Sequence, residues 1–184
     1  MIRSLNKFIF LNLLGWEVTG VVPDDKKIVA IVAPHTSWHD FFVGVFTRSV
    51  LKMENRIKFL GKYELFKNPL IGWFLRKLGG YPVVRNKQVN SVDSVVNIFN
   101  DNENFFLTLA PEGTRAKVNS LKTGFYYIAL KAKVPILMVG FCFKRRIVHF
   151  GEKFYPSGNI DKDMKKIIYF FSNYQGKVPN KGLN

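Results

Sequence analysis

This 184-residue chain is short of acid and nearly empty of cysteine. Its one cysteine, Cys142, excludes an intrachain disulfide and leaves no spacing for a zinc site. It lies in an apolar, strand-like run, where a buried and unreactive thiol is expected. No stretch reaches the ~20 apolar residues that cross a bilayer as a helix. Residues 1–16 are too short to span and carry no small-residue cleavage site, so a secretory signal is not expected. No internal repeat, low-complexity tract or linker is visible. A single domain over residues 1–184 is therefore expected, long enough to bury a real core.

What is present is apolar and basic. Hydrophobic residues make up 47% and aromatics 15%, too much for a disordered chain. The 18 phenylalanines suggest contact with an oily partner as well as a core. Acidic residues number 13 against 28 basic ones, for a formal charge of +15. Such an excess calls for an anionic partner: nucleic acid, a membrane surface or an acidic substrate. The basic residues are spread out, with Lys144-Arg145-Arg146 and Lys165-Lys166 among the tight clusters. No RNA-binding aromatic signature, finger spacing or basic-region heptad accompanies them. The partner expected is a membrane surface with anionic lipids and no nucleic acid, at roughly 1 kcal/mol per basic side chain near the headgroups. A basic nucleic-acid-binding domain is the rival class. It accounts for the charge but not for the phenylalanines or the motifs below.

In residues 1–16, Ile2, Leu5, Ile9, Leu13 and Trp16 recur at helical spacing, widened by Phe8, Leu11 and Leu14. This fits an amphipathic helix in a membrane interface, and equally a helix packed on the core. Apolar runs at 28–33, 57–60, 81–84, 105–110, 135–143 and 146–150 read as strands. Helical patterns fall at 41–51, 69–78, 92–99, 122–131 and 164–171, with Gly176 as the stop of the last. The alternation predicts an α/β domain with helices flanking a central sheet. The short gap between 135–143 and 146–150 predicts a hairpin, hence a mixed sheet.

Two polar islands follow apolar runs. The first is His35-Thr36-Ser37-Trp38-His39-Asp40, after Ile28 to Pro34. The second is Pro111-Glu112-Gly113-Thr114-Arg115, after Phe105 to Ala110. In α/β sheets, groups that bind and react gather where strands run into loops. A histidine beside a carboxylate can act as a general base. On one continuous helix His35 and Asp40 would lie ~140° apart. They meet better with His35 on the loop and Asp40 in the first turn. Ser37 reads as the N-cap, with Asp40 three residues on in a capping-box position. Pro34 keeps Ala33 out of the helix. His39 is a rival base, but adjacent side chains on a helix diverge. His149 reads as a satisfied or surface histidine. In the second island Gly113 permits close backbone approach and Arg115 can hold phosphate bidentately. Glu112 can order that arginine or bind an acceptor hydroxyl.

These residues resemble the glycerolipid acyltransferases, the family of lysophosphatidate acyltransferase. Its His-x4-Asp block is matched by His35 and Asp40, and its Glu-Gly-Thr-Arg block by Glu112 to Arg115. The block ending in arginine is matched by Gly79 to Arg85, and the proline-opened strand by Val134 to Val139. The blocks occur in the family's order over residues ~30 to 140. At Val84 the family often has an acidic residue.

The resemblance implies transfer of a fatty acyl group from acyl-CoA or acyl-carrier protein to a hydroxyl of a lysophosphatidate-like lipid in phospholipid synthesis. It implies that His35 is the base, oriented by Asp40, and that Arg85, Glu112, Gly113, Thr114 and Arg115 bind the acceptor. No metal or bound cofactor and no acyl-enzyme is expected. The alternative within the resemblance is an acceptor without glycerol phosphate, such as a lysophospholipid or an amino-acid lipid. The expected location is peripheral, on the cytoplasmic face of a membrane.

Overall fold

The computed structural model describes residues 2–83 and 91–183. Among these, the strands are β1 (Glu17–Gly20), β2 (Lys27–Ala33), β3 (Ile57–Lys62), β4 (Gly80–Val83), β5 (Phe105–Leu109), β6 (Lys117–Val118), β7 (Ile136–Cys142), β8 (Ile147–Phe154) and β9 (Gly182–Leu183). The helices are α1 (Ile2–Lys7), α2 (His39–Val50), α3 (Tyr63–Lys67), α4 (Pro69–Lys77), α5 (Ser91–Asp101), α6 (Gly124–Ala132) and α7 (Ile160–Phe171). Seven strands form one sheet in the order β1-β8-β7-β2-β5-β3-β4, and β6 pairs with β9 apart from it. Strands β2, β3, β4, β5 and β7 run parallel. Strand β8 turns back antiparallel to β7, and β1 lies parallel to β8. This is the hairpin and the mixed sheet that the short gap predicts.

Alternate residues of β2 feed two cores, as a central strand must when both sheet faces are covered. Val29 and Ile31 pack with Phe99, Phe125, Ile128 and Ile167, beneath α5, α6 and α7. Ile28 and Ala30 pack with Phe10, Val43, Leu137 and Val148 on the other face, under the N-terminal segment and α2.

The N-terminal stripe does not survive as one face. After α1 the chain widens into a π-helical stretch, Phe8–Leu13, in which Leu14 N–H reaches the Ile9 carbonyl at 2.8 Å. The extra residue per turn breaks the 3.6 period. Phe10 and Trp16 enter the core with their rings stacked 5.6 Å apart. Leu5, Phe8, Leu13 and Leu14 stay exposed. Trp16, on a stripe that fitted a membrane interface and the core equally, is therefore a core residue.

Other differences have local causes. Helix α7 begins four residues before its apolar stripe, because the Asn159 side chain accepts the Lys162 N–H and caps it there. It ends at Phe171, well before Gly176. Strand β1 has no apolar run and is set by its register on β8. Helix α4 forms as expected, with Pro69 in its first turn and the Asn68 side chain accepting from Leu70 and Ile71 N–H. It buries only Gly72 and leaves Leu70, Ile71, Trp73 and Phe74 exposed.

Candidate active site

Strands β2 and β5 are parallel neighbours, so both polar islands leave the same sheet edge side by side. His35 Nδ1 lies 3.0 Å from Asp40 Oδ2. The same oxygen accepts the Thr36 and Ser37 N–H groups at 2.8 and 2.9 Å. Asp40 is buried, and its Oδ1 has no hydrogen-bond partner among the described residues. An ionised carboxylate only accepts, so the geometry puts the His35 proton on Nδ1 and leaves Nε2 with its lone pair.

The helix entry differs in detail from the expected capping box. Asp40 does reach back to the Ser37 N–H. Ser37, however, lies outside the helix, which starts at His39. Its hydroxyl bonds His39 Nδ1 at 2.8 Å, and the Asp40 N–H goes to the Ser37 carbonyl. His39 thus pairs with Ser37 and stacks on Trp38 rather than meeting Asp40.

Glu112 is fully buried and faces inward. Its Oε2 accepts the His35 N–H at 2.6 Å and its Oε1 the Leu183 N–H at 3.2 Å. Burial pushes its carboxyl above the ordinary range, against those two donors. It lies outside the lining of the cavity described below, so it fastens the two motif loops together rather than meeting that space. Gly113 has φ +66°, and a side chain there would strike Lys122, whose stem and ammonium lie against it. Thr114 Oγ1 accepts the Ala116 N–H. Arg115 is exposed beside the cavity. Arg85 lies outside the described residues.

A cavity of about 720 Å³ opens beside these groups, between α2 and the sheet. His35, Gly113, Thr114 and Arg115 line its polar end. Val32, Val45, Phe59, Phe106, Val139 and Phe150 are among its apolar walls. Gly44 of α2 opens onto it, with no described residue within 4 Å of where a Cβ would sit. Glycine in a helix costs about 1 kcal/mol relative to alanine, and here it yields space. Arg48 also lines the cavity, ~12 Å of helix rise beyond Asp40. Its guanidinium donates to the Leu78 and Lys77 carbonyls, holding the end of α4. Burial lowers its pKa, opposed by Glu54.

Sequence reasoning did not single out Lys122, Gly44 or Arg48 as site residues. An isolated lysine or arginine has no spacing to mark it, and a single glycine in a helical pattern does not by itself mark a site. Cys142 is buried as expected. Burial opposes ionisation of its thiol, but the Arg145 Nε donor at 3.4 Å and neighbouring hydrogen bonds bring its pKa below the ordinary value. His149 is satisfied by Thr19 Oγ1 at 2.8 Å.

A family model described as Acyltransferase matches residues 16–141, which include His35, Asp40 and Glu112 to Arg115. The chain is similar to the 1-acyl-sn-glycerol-3-phosphate acyltransferase of Streptococcus pneumoniae, at 31% identity over 69% of this chain and 49% of that protein. It is 32% identical to the Bacillus subtilis protein of the same name, over 63% of this chain and 56% of that one. A chloroplastic 1-acyl-sn-glycerol-3-phosphate acyltransferase of Arabidopsis thaliana matches at 31%, over 74% and 38%. The chain thus spans about half the length of the curated relatives it matches. The order of the motifs, the α/β sheet that carries them and the match over most of the chain agree: this protein belongs to the acyltransferase family.

Proposed function

We propose that the chain transfers a fatty acyl group from a thioester, acyl-CoA or acyl-carrier protein, to the hydroxyl of a 1-acylglycerol-3-phosphate-like lipid. The observation that carries this is the His35–Asp40 pair at the polar end of a large apolar cavity, beside Arg115. The names of the relatives support the same acceptor. His35 Nε2 takes the proton from the acceptor hydroxyl as its oxygen bonds to the thioester carbonyl carbon. The carbonyl re-forms, the C–S bond breaks, and the leaving thiolate takes the proton from His35. Asp40 stabilises the intervening imidazolium. The acyl chain occupies the apolar cavity, and Arg115 with Lys122 holds the acceptor phosphate.

The test is mass spectrometry of lipids formed from lysophosphatidate, lysophospholipids and amino-acid lipids, with each donor type. Product from lysophosphatidate is expected. Product only from acceptors without glycerol phosphate would replace this acceptor by the alternative.

Arg115→Ala is expected to raise the acceptor KM roughly tenfold and leave the donor KM alone. A charged hydrogen bond contributes about 1.5–3 kcal/mol, and exposure puts Arg115 at the lower end. Equal changes in both KM values would remove Arg115 from the phosphate site.

Gly44→Leu should fill the cavity and shift the donor preference to shorter chains. Overfilling a packed site costs about 1–3 kcal/mol, or roughly 5- to 150-fold against a long-chain donor. Competition between long and short acyl donors measures this. An unchanged ratio would place the chain elsewhere.

The location we propose is peripheral, on the cytoplasmic face of an anionic membrane. No described helix is long and apolar enough to cross one. Exposed Leu70, Ile71, Trp73 and Phe74 of α4 suit the interface, with Lys77 set 4.4 Å over the Trp73 ring. Binding to phosphatidylglycerol vesicles should fall in part with salt, since charge attraction is screened within ~8 Å at physiological ionic strength. Leu70→Glu should weaken the salt-resistant part roughly tenfold, given about 1.5–3 kcal/mol for burying a leucine. Flotation unchanged by Leu70→Glu would exclude α4 from the interface.

A further inference from the structure

Residues 175–183 cross the back of both motif loops, and their glycines let them come close. A Cβ at Gly176 would lie 2.6 Å from Thr36 Cγ2 and Oγ1. A Cβ at Gly182, where φ is +82°, would lie 2.9 Å from Glu112 Oε1 and 3.1 Å from Thr36 Cγ2. The backbone itself makes the contacts. Val178 N–H donates to Thr36 Oγ1 at 3.2 Å, and Leu183 N–H to Glu112 Oε1 at 3.2 Å. Lys117 and Val118, just past Arg115, pair with Gly182 and Leu183. Farther up, the Gln175 carbonyl accepts the Phe143 N–H at the turn between β7 and β8.

Two of these contacts, from Val178 and Leu183, end on groups that hold His35. Glu112 takes Leu183 N–H on one oxygen and His35 N–H on the other. Thr36 takes Val178 N–H on its hydroxyl and gives its own N–H to Asp40 Oδ2, the atom that faces His35 Nδ1. Two relays thus lead from this segment to the backbone and to the ring of the same histidine. The segment lies outside the region matched by the family model, and none of its residues lines the acyl cavity.

We propose that residues 175–183 are a positioning element for the acyl-transfer step, setting His35 against the Arg115 loop through Thr36 and Glu112. The proposal rests on the acyltransferase reading above. A displacement of ~1 Å at a reacting group can cost ~10²-fold in rate, so the segment governs kcat while the donor chain binds as before.

Two substitutions in the full chain test this. Gly182→Ala presses on Glu112 Oε1, and Val178→Pro deletes the donor to Thr36. In both, kcat is expected to fall ~tenfold or more with the donor KM within about twofold. Amide hydrogen exchange, which needs no activity, should quicken at His35 and Thr36 and stay slow through α2. A kcat within twofold of the parent in both variants would overturn the proposal. So would a parallel change in kcat and donor KM, or loss of cooperative unfolding in both, which would make the segment plain core. If the full chain forms no acyl product from any acceptor, the reading of the function fails. The exchange rates at His35 and Thr36 then decide the positioning role alone.

Discussion

His35→Ala is expected to lower kcat by about 10²–10⁴, the range lost with a general base. The fold should be untouched, because the ring projects to the cavity while the anchoring bonds are made by backbone and Asp40. His39→Ala is the control. Its ring is held by Ser37 and Trp38 and has no carboxylate partner, so its kcat should stay within about threefold of the parent, well short of a lost base. Steady-state rates on a lysophosphatidate acceptor, with thermal melts of both variants, make the comparison. An active His35→Ala beside a dead His39→Ala would reverse the assignment.

Asp40→Asn should cost roughly as much in kcat, for a different reason. The amide oxygen can still accept the Thr36 and Ser37 N–H groups, but the imidazolium loses its counter-charge. In a hydrolase triad the same change costs roughly 10⁴ in kcat. Stability should fall as well. The amide nitrogen would take the buried place of Oδ1, which has no partner among the described residues, and an unsatisfied buried donor costs about 1–3 kcal/mol. Stopped-assay kcat and a denaturant midpoint separate the two effects. A variant that melts early yet turns over at the parent rate would leave Asp40 with a structural role only.

Much of this fold is legible in local pattern. The apolar run 28–33 is long and β-branched enough to declare a buried strand, and β2 covers it. His35 and Asp40 are legible because two rare polar types interrupt that run at a helix entrance. What escapes is set by tertiary partners. Glu112 reads as a substrate ligand because its motif is polar and lies in a loop. Only the fold reveals that backbone N–H groups occupy both its oxygens. The N-terminal stripe has a sound helical period, yet one extra residue in the π-helical stretch redirects Phe10 and Trp16. Gly176 has the signature of a helix stop, but its role is contact with Thr36, 140 residues away. Arg85 and Val84 lie outside the described residues, so the role proposed for Arg85 rests on the sequence alone.

The bare flank of Gly44 ties thermal tolerance to substrate range. An alanine there would meet no neighbour among the described residues and, by stiffening the unfolded chain and favouring the helix, should stabilise the protein by about 0.4–1 kcal/mol. The added methyl would also intrude on the space beside α2. With the acyl chain seated there as proposed, selection for heat resistance would draw this position toward alanine, while selection for long fatty chains would hold it at glycine. Residue 44 is therefore where a heat-adapted form of this enzyme would be expected to show a narrowed diet of acyl donors.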